Sequence, residues 1–166
     1  KEIEDVALSA KPEDTSYLIP AFSGLGAPYW KSDAKAMLYG MSRTTGKAEI
    51  VKAALDCIAY QITDILLAME NDSGIKIKQL CVDGGPTRNS YLMQFQSDIA
   101  DTTVRLPNVE ELSGIGAGYL AGISINLFTK NHAFSNLLYN EYIPHMESVT
   151  RKKLYKGWTE AIRKVI

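Results

Sequence analysis

Apolar residues recur along this chain with two periods, and each change of period marks an element. Residues 1–14 carry alternating charges and one proline with no sustained apolar stripe, which predicts a mobile lead-in segment. Residues 17–22 (Tyr-Leu-Ile-Pro-Ala-Phe) read as a strand, with Pro20 placing it at an edge or a bulge. Residues 36–41 form a second short apolar strand. Between the two lies a loop dense in glycine and aromatic rings, residues 22–30, which either borders a cleft or caps the core. Local chemistry leaves both open.

The period then turns helical. Over residues 47–71, Ile50, Ala53, Ala54, Ile58, Ile62, Ile65, Leu66 and Met69 line up as one apolar face. Thr44 or Thr45 is expected to cap this helix, Gly74 to end it, and its Asp and Glu residues to occupy the solvated face. Residues 77–82 predict a buried strand. A helix over residues 88–101 follows, with Tyr91, Leu92, Phe95 and Ile99 on its apolar side. A parallel-type strand at 103–106 and a helix at 113–128 come next. The last helix carries Arg151, Lys152, Lys153, Lys156, Arg163 and Lys164 on a solvated face and Tyr155, Trp158 and Ile162 on an apolar one. From residue 47 the order helix, strand, helix, strand, helix predicts an α/β layer with right-handed crossovers, to which the two earlier strands add an antiparallel portion.

Composition narrows this picture. A chain of 166 residues suits one domain with a real core, and a net charge of −1 forces no basic surface, so nucleic acid is not an expected partner. The longest weakly polar run, residues 115–128, is too short and too rich in glycine for a membrane span. The sequence starts with Lys1 among mixed polar residues, which predicts a fragment or excised domain. No basic-then-apolar leader opens it. Cys57 and Cys81 sit in apolar patterns without metal-ligand spacing, so both are expected buried as small hydrophobes in a reducing, cytoplasmic setting. His132 and His145 lack neighbouring ligand residues, so surface or packing roles are expected and no metal site is predicted.

The candidate chemistry lies where the strand at 77–82 runs into the next helix through Asp83-Gly84-Gly85-Pro86-Thr87-Arg88-Asn89. Two glycines allow backbone angles and close approaches that a Cβ forbids. Free N–H groups at the start of the helix could then face an anion, favoured by the helix dipole. Gly-Gly-Pro is equally an ordinary turn with proline at an early helical position, and on local residues alone that is the better reading. A dinucleotide fingerprint lookalike, Gly116-x-Gly118-x-x-Ala121, fails because its strand ends several residues too early. Gly114, Gly118 and Gly122 fall four apart instead and predict close packing of another backbone.

Several stretches together resemble one family. Ala21-Phe22-Ser23-Gly24-Leu25-Gly26-Ala27-Pro28-Tyr29-Trp30, Gly40-Met41-Ser42-Arg43 with residues 50–61, the run from Val82 to Asn89, the helix Leu92-Met93-Gln94-Phe95-Gln96-Ser97-Asp98, and the glycine-rich helix at 114–122 are similar, in order and spacing, to the FGGY carbohydrate kinases, on the side of the glycerol and xylulose kinases. The resemblance covers residues 17–128. It implies an actin-like ATPase, ribonuclease-H-like fold, a mixed sheet flanked by helices, with residues 15–166 as the C-terminal nucleotide-binding domain and residues 1–14 as the lead-in. It implies ATP with Mg²⁺, and a small polyol or sugar as acceptor. Gly85 is implied to bring its backbone to the nucleotide phosphates and Asn89 to contact the adenosine end. Gly84 and Asp83 belong to the same turn.

The family's catalytic base and most substrate contacts lie upstream of the matched segment, so no catalytic residue is expected here. The isolated chain is expected to bind nucleotide weakly and to catalyse nothing. Thr44-Thr45-Gly46, Tyr29-Trp30-Lys31, Pro86-Thr87-Arg88 and Glu111-Leu112-Ser113 depart from the glycerol-kinase pattern and leave the acceptor open between glycerol and a ketopentose such as xylulose. A homo-oligomer is left open, and the rival readings are a non-catalytic actin-like nucleotide module and a plain structural domain in which Gly84-Gly85 is just a turn.

Overall fold

The computed structural model describes residues 2–109, 112–127, 129 and 138–166. His132, Glu111 and Phe128, which figured in the expectations above, lie outside them. The elements are α1 (Glu2–Leu8), β1 (Tyr17–Ile19), β2 (Met37–Tyr39), α2 (Lys47–Ser73), β3 (Gln79–Cys81), a 3-10 turn (Gly85–Arg88), α3 (Ser90–Ala100), β4 (Thr103–Pro107), α4 (Leu112–Ser124), β5 (Tyr139–Tyr142) and α5 (Ser148–Ile162). β1 and β2 pair antiparallel in a sheet of their own. β3 and β4 pair parallel across α3, with Leu80 opposite Val104, and β5 adds to the far side of β4 antiparallel. The expected mixed α/β arrangement is present, and β5 is a strand that the periodicity did not reveal.

The core lies where α2, α3 and α5 meet β1 and β4. Ile19, Tyr60, Leu92, Phe95, Val104, Trp158 and Ile162 are buried there. Trp158 stacks on Tyr60 with ring centroids 5.0 Å apart, and Phe95 meets Tyr60 edge-on at 5.5 Å, both favourable arrangements of ring quadrupoles. α5 reaches β1 at Gly157, where a Cβ would run into the Tyr17 ring. Only a residue without a side chain lets helix and ring approach so closely.

Three expectations change. Residues 1–14 are not a mobile lead-in. Their first part is α1, which buries Ala7 against α2 and α3. The rest is tied down as Lys11 N donates to Glu49 Oε1 at 3.0 Å and Thr45 Oγ1 donates to Asp14 Oδ2 at 2.7 Å. Thr45 is thereby used elsewhere, and neither threonine caps α2. Gly46 is the cap residue, and its N–H is taken by Glu49 Oε2 at 2.8 Å. Gly74 does end the helix, its N–H on Glu70 O at 2.8 Å.

The second change is the face of α2. Ile50, Ile58, Ile65 and Met69 are exposed, while Glu49, Asp56 and Asp64 are buried with Ala53, Cys57, Ala59 and Tyr60. The carboxylates turn inward because each has donors waiting. Asp56 accepts from Lys52 Nζ and from Tyr91 Oη, both at 2.5 Å. Asp64 accepts from Tyr155 Oη at 2.6 Å and Trp158 Nε1 at 2.8 Å. Buried polar atoms are tolerated when they are bonded in this way.

The third change concerns exposure. β3 is at one end of its sheet order, so Gln79 and Cys81 are exposed and only Leu80 is partly covered. Cys57 alone of the two thiols is buried. On α4, no described atom comes within 4 Å of a Cβ placed on Gly114 or Gly118, so these two make no such backbone contact among the described residues, while Gly122 is buried.

Asp64 gives a pH-dependent expectation. Burial pushes its carboxyl above the ordinary value of 3.8, and the bonds from Tyr155, Trp158 and Tyr29 pull the other way without cancelling it. The folded chain therefore holds this proton where the unfolded chain has released it. The resulting contribution to stability is complete below the ordinary value and fades as pH rises through the folded one. Asp64→Asn removes that dependence, so urea midpoints measured from about pH 4 upward should show the variant gaining on the parent chain as pH increases. A constant gap at every pH would contradict this assignment.

Candidate functional site

The turn after β3 is built by backbone constraints. Val82 N still donates to Arg105 O at 3.0 Å, so the chain leaves the sheet only after that residue. Asp83 then fixes the next element, its Oδ2 accepting from Leu112 N at 3.2 Å in the first turn of α4. Gly84 adopts φ 101° and ψ 175°, a combination essentially restricted to glycine. Its carbonyl accepts from both Thr87 N at 3.1 Å and Thr87 Oγ1 at 2.7 Å, which clasps the 3-10 turn shut. Gly85 and Pro86 open that turn, as expected for a proline early in a helical segment.

A cavity of about 380 Å³ lies against this turn, lined by Asp83, Gly84, Gly85, Thr87 and Arg88 on one side and by residues 106–109 at the end of β4 on the other. It is thus at the carboxyl ends of two adjacent parallel strands, where open α/β sheets leave a crevice for ligands. Three of the four residues singled out in the sequence, Asp83, Gly84 and Gly85, line it together. Neither glycine has a described atom within 4 Å of where a Cβ would be, so both backbones are open to a ligand.

Asn89 is placed differently. Its Oδ1 accepts from Leu92 N at 2.9 Å, making it the N-cap of α3. It faces a second hollow of about 320 Å³ on the other side of the same turn, formed with Ile3, Leu55, Ile58, Pro86 and Leu92. Gly85 and Arg88 touch both hollows. The turn is therefore a partition between a crevice of mixed polarity and a largely apolar slot. With Oδ1 committed to the cap, the NH₂ group of Asn89 has no partner among the described residues and is a donor available to a ligand.

One expectation about this junction is narrowed. Of the first four N–H groups of α3, those of Tyr91, Leu92 and Met93 are already taken. Tyr91 N donates to Glu4 Oε1 at 3.0 Å, Leu92 N to Asn89, and Met93 N to Asn89 O at 3.1 Å. A carboxylate from α1 already provides the negative charge that the helix dipole favours. An anion at this junction would be met chiefly by the glycine turn. The sequence held a signal for the Asn89 cap, since Asn immediately before an apolar-periodic run is an N-cap pattern. Nothing local pointed to Glu4, which comes from 87 residues away.

The loop at 22–30 divides its rings. Leu25 is buried and Tyr29 partly so, packed against the core, whereas Phe22 and Trp30 are exposed. His145 is exposed beside Asp98, whose Oδ1 accepts from His145 N at 2.7 Å and Met146 N at 3.1 Å. Among the described residues no group of three His, Cys, Asp or Glu side chains could hold a metal ion, and no helix is long and apolar enough to cross a membrane.

Comparison with known proteins agrees with this architecture. Residues 2–125 match the FGGY family of carbohydrate kinases, C-terminal domain. The chain is 44% identical over 165 residues to a glycerol kinase of Halalkalibacterium halodurans, covering 98% of this chain and 33% of that protein. It is 43% identical over 168 residues to a glycerol kinase of Clostridium botulinum, covering 100% of this chain and 34% of that one. Among solved structures, Plasmodium falciparum glycerol kinase with ADP superposes with a TM-score of 0.88 at 32% identity, over 99% of this chain and 33% of that one. A ligand-bound xylulose kinase from Lactobacillus acidophilus shares the fold, with a TM-score of 0.82 at 21% identity over 98% of this chain and 34% of that one. The chain thus spans about a third of the length of its relatives, and its fold is that of the actin-like kinases. It belongs to the FGGY family of carbohydrate kinases, matching the C-terminal domain.

Proposed function

We propose that this chain is the C-terminal, nucleotide-binding domain of an ATP-dependent polyol kinase, with glycerol as the acceptor. The observation that carries the reading is the open crevice against Gly84 and Gly85 at the ends of β3 and β4, in a chain 44% identical to a glycerol kinase. In this reading Gly85 and Gly84 offer backbone to the nucleotide phosphates, and Asn89 offers its NH₂ group to the adenosine end from across the turn. Asp83 holds α4 against the crevice and so positions the turn. ATP fits the residues present in that nothing near either glycine obstructs a phosphate. When bound, it supplies the γ-phosphoryl group for transfer. Mg²⁺ belongs to the reading as the partner of the phosphates. The base that takes the proton of the acceptor hydroxyl, and most acceptor contacts, belong to the rest of the parent protein, which is cytoplasmic in this reading.

Two measurements test this. The intact parent protein, given MgATP, should release ADP with glycerol and much less with xylulose or other sugars. Turnover of xylulose in preference would reassign the acceptor. Turnover of none, with ADP bound, would leave a non-catalytic nucleotide module. The second measurement separates the two jobs of Asn89. Asn89→Asp keeps a good N-cap but replaces the donor with a carboxylate. It should raise the KM for ATP by about tenfold, the equivalent of about 1.4 kcal/mol, with little change in melting temperature. An unchanged KM would confine Asn89 to capping.

A further inference from the structure

We infer that Glu4 is a positioning residue for nucleotide binding, acting through the start of α3. The inference rests on the nucleotide reading above and adds to it a residue that lies before β1, far from the glycine turn in sequence. Glu4 Oε1 accepts the N–H of Tyr91 at 3.0 Å, and Asn89 Oδ1 accepts the next N–H, that of Leu92, at 2.9 Å. Two oxygens from two different segments thus hold consecutive amides at the end of the helix. Asn89 is itself tied back to the glycine turn, its N–H on Pro86 O at 3.1 Å. Tyr91 is held at its other end, with its hydroxyl on Asp56 and its ring stacked on Phe95 at 6.0 Å.

This geometry has a consequence for Asn89. Its NH₂ group keeps its direction only while the carbonyl half of the same amide remains on Leu92 and the backbone of residues 89–91 keeps its course. Glu4 provides the second restraint. It places a negative charge at the positive end of the helix without using any atom of Asn89. Ile3, the neighbour of Glu4, forms part of the apolar slot that Asn89 faces, with Leu55, Ile58 and Leu92. α1 therefore does two things beside that slot: it contributes a wall and it anchors the polar group opposite. The buried Ala7 and the packing of α1 on α2 and α3 keep it seated. Glu4 touches no nucleotide atom in this account and acts only through Tyr91 and Asn89.

The test is calorimetric titration of ADP into the intact parent protein, together with KM and kcat for both substrates. Glu4→Ala should raise the Kd for ADP and the KM for ATP by about tenfold. The KM for the polyol and the kcat at saturating ATP should stay within about twofold. Glu4→Gln retains an acceptor of the same reach and should bring the Kd most of the way back. Asp5→Ala, an exposed carboxylate of the same helix, should bind ADP like the parent. An unchanged Kd in Glu4→Ala, or equal losses in Glu4→Ala and Asp5→Ala, would overturn the inference. A parallel rise in both KM values would also overturn it, since that marks a general loss of structure. Should Glu4→Ala fail to fold, Glu4→Asp, whose carboxylate is one methylene short of Tyr91 N, decides beside Glu4→Gln: weaker ADP binding in Glu4→Asp with near-parent affinity in Glu4→Gln supports a positioning acceptor, and equal affinities in the two overturn it. Failure of the unsubstituted protein to bind ADP would instead bring down the nucleotide reading, and this inference with it.

Discussion

Trp158→Ala is expected to cost the chain about 4 kcal/mol of stability, within the range found for removing a large buried ring. The indole is fully buried and stacks on Tyr60, so its loss opens a void that neither α2 nor β1 can fill without moving. The cost is increased by Asp64. Trp158 Nε1 is one of the donors that make a buried carboxylate tolerable, and its removal leaves Asp64 Oδ2 without that bond. Urea denaturation should show the midpoint falling sharply at unchanged slope. Trp158→Phe helps to separate the two contributions, because it keeps much of the ring stack while losing the N–H and a smaller part of the ring volume. It should cost about half as much, and the difference between the variants reports the packing share. A loss below about 1 kcal/mol for Trp158→Ala would fall outside the range for such a core residue and would mean that α5 is not seated on α2 as described.

The same helix pair shows which parts of the fold the sequence made legible. The extent of α2 and its stop at Gly74 follow from local pattern and are present. Its orientation is not local. Ile50, Ile58, Ile65 and Met69 look like a core stripe when only hydrophobicity is counted, yet they are exposed. Asp56 and Asp64 look like solvated carboxylates, yet they are buried because Tyr91, Tyr155 and Trp158 bring donors from 35 to 94 residues away. Periodicity records which residues are apolar and carries no information about which polar ones will find partners. The lead-in fails for a related reason. α1 has seven residues, too few to show a convincing period or to be stable alone. It exists because Ala7 and Glu4 find α2 and α3.

At the candidate site, the double glycine is conspicuous in sequence since few other residues can follow a strand in that way, and Asp83, Gly84 and Gly85 do come together. The role of Asn89 and the state of the start of α3 are harder to read. The family resemblance named Asn89, while its capping role is a matter of local stereochemistry. The neutralisation of the helix end by Glu4 is a tertiary contact with no local trace. The crevice itself depends on β4 being in register beside β3, so that residues 106–109 face the turn.

Gly84 and Gly85 should differ in how substitution affects stability while both lose ATP affinity, and the contrast is the sharpest check on the nucleotide reading. Gly84→Ala places a side chain at φ 101°, where L residues are strained by about 1–3 kcal/mol. The turn must rotate to relieve that strain, which breaks the clasp between the Gly84 carbonyl and Thr87. In the intact parent protein the KM for ATP should rise by tenfold or more, and the melting temperature should fall. Gly85 does not share that conformation, and its Cβ would meet no protein atom within 4 Å. Gly85→Ala is therefore expected to leave stability within about 0.5 kcal/mol of the parent, as at an unobstructed surface position. If a phosphate does lie against the Gly85 backbone, the added methyl pushes it away. The KM for ATP should then rise by tenfold or more with the KM for the polyol unchanged. Loss of ATP affinity without loss of stability at Gly85 is the signature of a ligand, because nothing in the protein opposes the substitution. Retained affinity in Gly85→Ala, beside a destabilised Gly84→Ala, would reduce Gly-Gly-Pro to the ordinary turn that its local sequence also describes.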